Sequence, residues 1–168
     1  MTLLRITLAG ERLPPGLGPW PEAAPEHRLT LDPALTQASA TSAVRLALRE
    51  SPAPWVIAQG RAVAPFLTAV GADLSLAVAG AFLLTPRRWS TRPLELAPLP
   101  FPSVLVTSQP DSSSHILSKA WGAILLHSDA LFVQPQARAL IDRRTRDLER
   151  AARAGLVGRA YAATGASG

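Results

Sequence analysis

The sequence predicts an α/β fold, built as a three-layer α/β/α sandwich around a mostly parallel sheet. Short apolar segments of strand length alternate with segments of helical periodicity along the chain. Two of the apolar segments, residues 76–84 and 103–107, lack polar alternation, as strands that are covered on both faces require. The chain has 168 residues, of which 48% are hydrophobic, and this suits a single domain over residues 1–168 with a sizeable core.

The N-terminal half contains three predicted strands and two predicted helices. Residues 3–8 alternate β-forming side chains and end at Ala9-Gly10, which predicts a first strand. A loop rich in Pro and Gly follows over residues 14–21. The further elements are a strand over 27–31, a helix over 35–49, a strand over 55–58, a tight turn at Gln59-Gly60 and a helix over 61–70.

The C-terminal half continues the alternation. Strands are predicted over residues 76–84, 103–107 and 123–127, with a short helix over 115–121. A long Arg-rich helix is predicted over residues 134–152, and a disordered tail over 160–168. In such folds ligands bind beyond the carboxyl ends of the strands, so the segments that follow each strand are the ones to inspect for function.

One of these segments carries a recognisable motif. The run VIAQGRA at residues 56–62 resembles the nucleophile elbow of the α/β-hydrolases, in which small residues flank a serine on a sharp strand-to-helix turn. Farther on, the chain resembles the small serine hydrolases of the YdeN and retinoblastoma-binding protein 9 type. The matching segments are VAGAFLLTP at 78–86, LPFPSVLVTS at 99–108, Asp111 and AWGA at 120–123.

The resemblance implies a small α/β-hydrolase fold, an ester- or amide-hydrolysing activity and a set of site residues. Gly60 stands where the family has its serine nucleophile, and Val133 where it has its histidine. Asp111 retains the acid position, although an ordinary turn aspartate is an alternative for it. The backbone N–H groups of Arg61 and Glu11 are the expected oxyanion donors.

The loss of both nucleophile and base predicts a non-catalytic pseudo-hydrolase with a binding or scaffold role. Glycine has no oxygen to attack a carbonyl, and valine cannot take a proton. Two alternatives stay open. One is an active ester or amide hydrolase whose catalytic groups have moved, with His115 or His127 as the candidate imidazoles. The other is a nucleic-acid or acidic-partner module that uses the Arg-rich C-terminal helix.

The composition restricts the remaining functions. Of the net charge of +5, a surplus of +4 lies between Arg138 and Arg159, which favours a solvated terminal helix over a nucleic-acid site. Cys is absent, no spacing of His and acids suggests a metal site, and no Gly-rich motif suggests a nucleotide cofactor. The charge-free stretch over residues 74–86 is too short for a membrane helix. We therefore expect a cytoplasmic protein without cofactor or metal, whose partner is a small molecule or a protein.

Overall fold

The computed structural model describes residues 2–11, 26–84, 98–107 and 111–127. These residues form six strands and three helices. The strands are β1 (Leu3–Leu8), β2 (Glu26–Leu31), β3 (Trp55–Gln59), β4 (Gly80–Leu84), β5 (Ser103–Thr107) and β6 (Ile124–His127). The helices are α1 (Gln37–Glu50), α2 (Val63–Ala72) and α3 (Ser112–Trp121).

The six strands form one sheet in the order β2-β1-β3-β4-β5-β6, and every neighbouring pair is parallel. The predicted α/β fold with a parallel sheet is therefore confirmed. The connections through α1, α2 and α3 all step across the sheet in the same direction. Because such crossovers share one hand, all three helices are expected on the same face.

Two predicted boundaries differ from the structure by three residues or more, whereas the others lie within two residues of the observed ones. The prediction begins β4 at residue 76, whereas it begins at Gly80, opposite the first residue of β3, Trp55. The Ala79 N–H still donates to the Pro54 carbonyl at 3.0 Å, but Pro54 has no N–H with which to continue the pairing. The prediction begins α3 at residue 115, whereas Asp111 caps the helix and starts it at Ser112.

One face of the sheet, which we call the helix face, packs against α1, α2 and α3. Its strand residues alternate with those of the opposite face, as the two-residue period of a strand requires. The helices contribute apolar side chains to the same core, such as Val44, Phe66 and Trp121, which are at most 2% exposed. The Phe66 ring lies 6.0 Å from the Phe101 ring at a tilt of 47°.

The opposite face, which we call the second face, has two halves of different chemistry. Over β3 to β6, and at Leu3 in β1, it carries buried apolar residues. Over β1 and β2 it carries polar side chains, including Arg5 and Glu26, whose Nε and Oε1 atoms lie 2.9 Å apart. None of the three described helices packs on this face, so the third layer of the predicted sandwich is not formed by the described residues.

The longest described helix, α1, has 14 residues and spans about 21 Å. The hydrocarbon core of a bilayer is about 30 Å thick. Within the described ranges, no helix combines the length and the apolar composition needed to cross it.

Alanine substitutions at Gly80 and, as a control, at Gly71 test the packing of the second face. A Cβ at Gly80 would overlap the Trp55 indole, whereas a Cβ at Gly71 on α2 meets no atom within 4 Å. We expect Gly80→Ala to lower the free energy of unfolding by about 1–3 kcal/mol through overpacking. Gly71→Ala should raise it by about 0.5–1 kcal/mol, because alanine loses less backbone entropy in a helix. Urea unfolding measures both, and equal effects would contradict the packing of Trp55 on Gly80.

Candidate functional site

The motif at residues 56–62 folds as a sharp strand-to-helix turn. β3 ends at Gln59, a 3-10 turn spans Gly60–Ala62, and α2 begins at Val63. Gly60 has φ = +56°, a left-handed conformation that L side chains rarely adopt. Ala58 and Ala62, the small neighbours on each side, are fully buried. The turn therefore has the sharp, strained form of an elbow, with a glycine where the resemblance places a nucleophile.

The Glu11 side chain occupies the space in front of Gly60. A Cβ built on Gly60 would overlap Glu11 Oε1 and lie 2.9 Å from the Glu11 Cδ. A serine at residue 60 would need this space, so it would have to displace the carboxylate. The displaced group is the end of a flexible side chain, and the backbone of the turn need not move.

Two hydrogen bonds hold Glu11 at the end of β1. Its backbone N–H donates to the Leu8 carbonyl at 3.1 Å, and its Oε2 accepts from the Leu8 N–H at 3.3 Å. Gly10, with φ = +87°, allows the chain to reverse between the two residues. Because β1 and β3 are adjacent and parallel, their carboxyl ends meet, and the carboxylate reaches the elbow.

The two expected oxyanion donors, the backbone N–H groups of Glu11 and Arg61, have different surroundings. The Glu11 N–H already donates to Leu8, so an oxyanion would have to compete with that bond. Arg61 directly follows Gly60 in the turn, and its side chain is exposed. The role of both N–H groups stays a prediction. The sequence analysis missed the Glu11 side chain, because no sequence pattern relates residue 11 to residue 60.

Asp111 is the N-cap of α3. Its Oδ1 accepts from the Ser114 N–H at 2.7 Å, while its own N–H donates to Ser114 Oγ at 2.8 Å, which completes a capping box. The bonds from the Ser114 N–H and hydroxyl lower the pKa of the Asp111 carboxyl below its ordinary value. The capping box alone explains why an aspartate stands at residue 111, and the role of Asp111 in a catalytic triad stays a prediction.

Among the side chains that the structure describes, His27 and His115 do not complete a site. Val133 lies outside the described residues. His115 is exposed in the first turn of α3, and His127 is the last residue of β6, opposite Thr107. His27 is exposed on the edge strand β2. Among the described residues, neither His27 nor His115 has a side-chain hydrogen bond to Glu11 or Asp111.

A small cavity lies beside the elbow at the carboxyl edge of the sheet. Its volume is about 60 Å³, enough for a few water molecules. Leu8 and Leu31 come from the ends of β1 and β2, while Arg61 and Pro65 come from the elbow and α2. Asp32, in the loop before α1, also lines it, and its Oδ1 accepts from the Ala34 N–H at 2.8 Å. Within the described ranges, no group of three or more His, Asp or Glu side chains could hold a metal ion.

No family model, no curated protein and no solved structure matches this chain. The resemblance to the small serine hydrolases therefore stays a prediction that depends on the quoted motifs.

The contact between Glu11 and Gly60 can be measured by a double-mutant cycle. Gly60→Ala should lower the free energy of unfolding by about 1–3 kcal/mol, because alanine is strained in the left-handed region and its Cβ must displace the carboxylate. In a Glu11→Ala background this loss should shrink by about 1 kcal/mol, since only the strain remains.

Gly10→Ala is the matched control for this cycle. Gly10 also has a positive φ, but a Cβ there meets no atom within 4 Å. Its loss should therefore be the same with and without Glu11→Ala. A loss at Gly60 that does not respond to Glu11→Ala would contradict the placement of the carboxylate in front of Gly60.

The hydrogen bonds of Asp111 predict a pH dependence of stability. Because folding lowers the Asp111 pKa, the ionised carboxylate stabilises the fold above the unfolded pKa of about 4, and this contribution is lost as pH falls through the folded pKa. Asp111→Ala should lower the melting temperature at pH 7, and the deficit should shrink below about pH 4. Asp111→Asn, which keeps a neutral cap, is the control and should lose less at pH 7. A deficit for Asp111→Ala that stays constant down to pH 2 would contradict this role of the charge.

Proposed function

We propose that this protein is a non-catalytic pseudo-hydrolase, an α/β domain that has kept a serine-hydrolase-like elbow and acts by binding rather than by bond cleavage. The observation that carries the proposal is the pairing of Gly60 with Glu11 at the elbow. The backbone retains a left-handed turn at residue 60, and the space for a nucleophilic side chain is taken by the carboxylate of another loop.

The chemistry of this pairing opposes ester or amide hydrolysis. Attack on a carbonyl creates an oxyanion, and enzymes stabilise it with hydrogen-bond donors aimed at the developing negative charge. Here a carboxylate faces the position from which attack would occur. Like charges repel, so a Glu11 carboxylate that stays next to the elbow would raise the barrier to forming an oxyanion there.

As lined by the described residues, the cavity beside the elbow suits a small group better than a whole substrate. Ligand pockets usually enclose about 300–1,000 Å³. The cavity of about 60 Å³ has room only for a few atoms, such as the end of a side chain or a small ligand group. Its position at the carboxyl edge of a parallel sheet is where α/β proteins bind ligands.

A fluorophosphonate probe, which reacts with activated serines, tests the proposal. We expect no labelling of the protein at pH 7–8, since Gly60 has no hydroxyl with which to attack the probe. Labelling that disappears when one particular serine is replaced by alanine would overturn the proposal and identify the nucleophile of an active enzyme.

The same labelling assay, applied to variants at the elbow, tests whether Glu11 blocks the site. Gly60→Ser with Val133→His restores the residue types that the resemblance implies, but we expect at most weak labelling because the displaced Glu11 carboxylate stays next to residue 60. Adding Glu11→Ala should give detectable labelling at residue 60. Strong labelling of the variant that retains Glu11 would show that the carboxylate does not block the site. Circular dichroism confirms that each variant is folded.

A further inference from the structure

The cavity beside the elbow is lined by two side chains of opposite charge that do not pair with each other. Asp32 directly follows β2, Arg61 lies in the turn after β3, and both line the cavity. The ion pairs of the described residues join Arg5 and Arg28 to Glu26, and Arg49 to Asp73, so neither Asp32 nor Arg61 takes part in one there. The cavity therefore offers a positive and a negative group to a molecule that enters it.

The Asp32 carboxylate is held in place by the turn that leads into α1. Its Oδ1 accepts from the Ala34 N–H, and its backbone carbonyl accepts from the Leu35 N–H at 3.0 Å. Within the described part of the chain, Oδ2 has no hydrogen-bond partner. A carboxylate accepts several hydrogen bonds, so Asp32 can still bind a donor without losing its bond to Ala34.

The sheet keeps the two charges apart. β1 lies between β2 and β3, so the residues that follow these two strands are separated by two strand spacings, or roughly 10 Å. Leu8, at the end of β1, lines the cavity between them. Asp32 and Arg61 are exposed, and exposed charged side chains gain little from closing into a direct pair because water already solvates both. A ligand that carries both charges can bridge the gap.

Most of the remaining lining is apolar. Leu31 closes the cavity on the sheet side, and Leu35 lines it while staying 43% exposed, which places Leu35 at the opening. Ligand sites typically combine such apolar walls with a few polar groups that fix the orientation of the ligand. The cavity thus suits a molecule with a charged head and a short hydrocarbon group.

We propose that this cavity binds a free α-amino acid with an aliphatic side chain. The ligand carboxylate accepts hydrogen bonds from the Arg61 guanidinium, and its ammonium group donates to Asp32 Oδ2. The head group occupies the volume of about 60 Å³, and the side chain extends over Leu35. This inference rests on the proposed function, because it names the ligand of a domain that acts by binding.

A zwitterion fits the cavity better than an ion of a single sign. A phosphate or a simple carboxylate gains from Arg61 but is repelled by Asp32, and a simple amine meets the reverse situation. An α-amino acid satisfies both groups at once and adds no net charge. Its small head group also agrees with the limited volume of the cavity.

NMR titration of the isotope-labelled full-length chain with L-leucine tests the proposal. We expect the backbone amide signals of Asp32, Leu35 and Arg61 to shift and to saturate with a Kd of about 1 mM. Leucinamide lacks the negative charge, and isocaproate lacks the positive charge. Each should bind at least about tenfold more weakly than leucine at about pH 6.5, where the leucinamide ammonium stays protonated.

Charge-removing variants assign the two contacts separately. Arg61→Gln should weaken leucine binding at least about tenfold without weakening leucinamide binding, which does not use the guanidinium. Asp32→Asn keeps an oxygen for the Ala34 N–H, and it should weaken leucine binding without weakening isocaproate binding. Arg49→Gln is the matched control. Arg49 lies in the last turn of α1, whereas the cavity lies at the first turn, so all three affinities should stay unchanged.

Absence of shifts at Asp32, Leu35 and Arg61 in about 50 mM leucine would overturn the proposal. Equal affinities of the unaltered protein for the three probes would also overturn it, because they indicate binding through the hydrocarbon group alone. These failures are distinct from a failure of the proposed function. A protein that neither binds leucine nor reacts with the fluorophosphonate contradicts only the amino-acid site, whereas labelling of one particular serine contradicts the proposed function whether or not leucine binds.

Discussion

The parallel pairing of β3 between β1 and β4 is the constraint on which the rest of the structure depends. Its register places Leu4 opposite Val56 and Ile6 opposite Ala58, so that β1 and β3 present their carboxyl ends at the same edge. The helices follow from the same pairing, because each parallel connection must cross the sheet on one face. The core of the helix face and the position of the elbow are both consequences of this register.

At the carboxyl edge, the pairing brings Gly60 and Glu11 together. Gly60 adopts a left-handed backbone and has no Cβ, and the Glu11 carboxylate, which accepts a hydrogen bond from the Leu8 N–H, occupies the space that a Cβ would take. The turn therefore has the shape that positions a nucleophile in an elbow. The place of the nucleophile, however, is taken by a negative charge. In the proposed function this replaces a catalytic group with a group that repels an oxyanion, and the fold is retained because glycine tolerates the strained turn.

The two faces of the sheet differ in what covers them. The helix face is closed by α1, α2 and α3, whereas the second face is polar toward β2 and apolar toward β6. Partial burial lowers the pKa of Arg5 on the polar side, but the Glu26 carboxylate opposes this effect and a guanidinium stays charged.

The sequence by itself determined the fold class and nearly every element, because two-residue and helical periodicities are local properties. It placed β1 and β5 at their observed bounds and located the turn at Gly60 from its small neighbours. It could not show that the Glu11 carboxylate fills the space in front of Gly60, nor that Asp111 caps α3 through Ser114. Only the tertiary structure decided these points, because contacts between residues on separate strands depend on sheet order and register, and no local pattern records either.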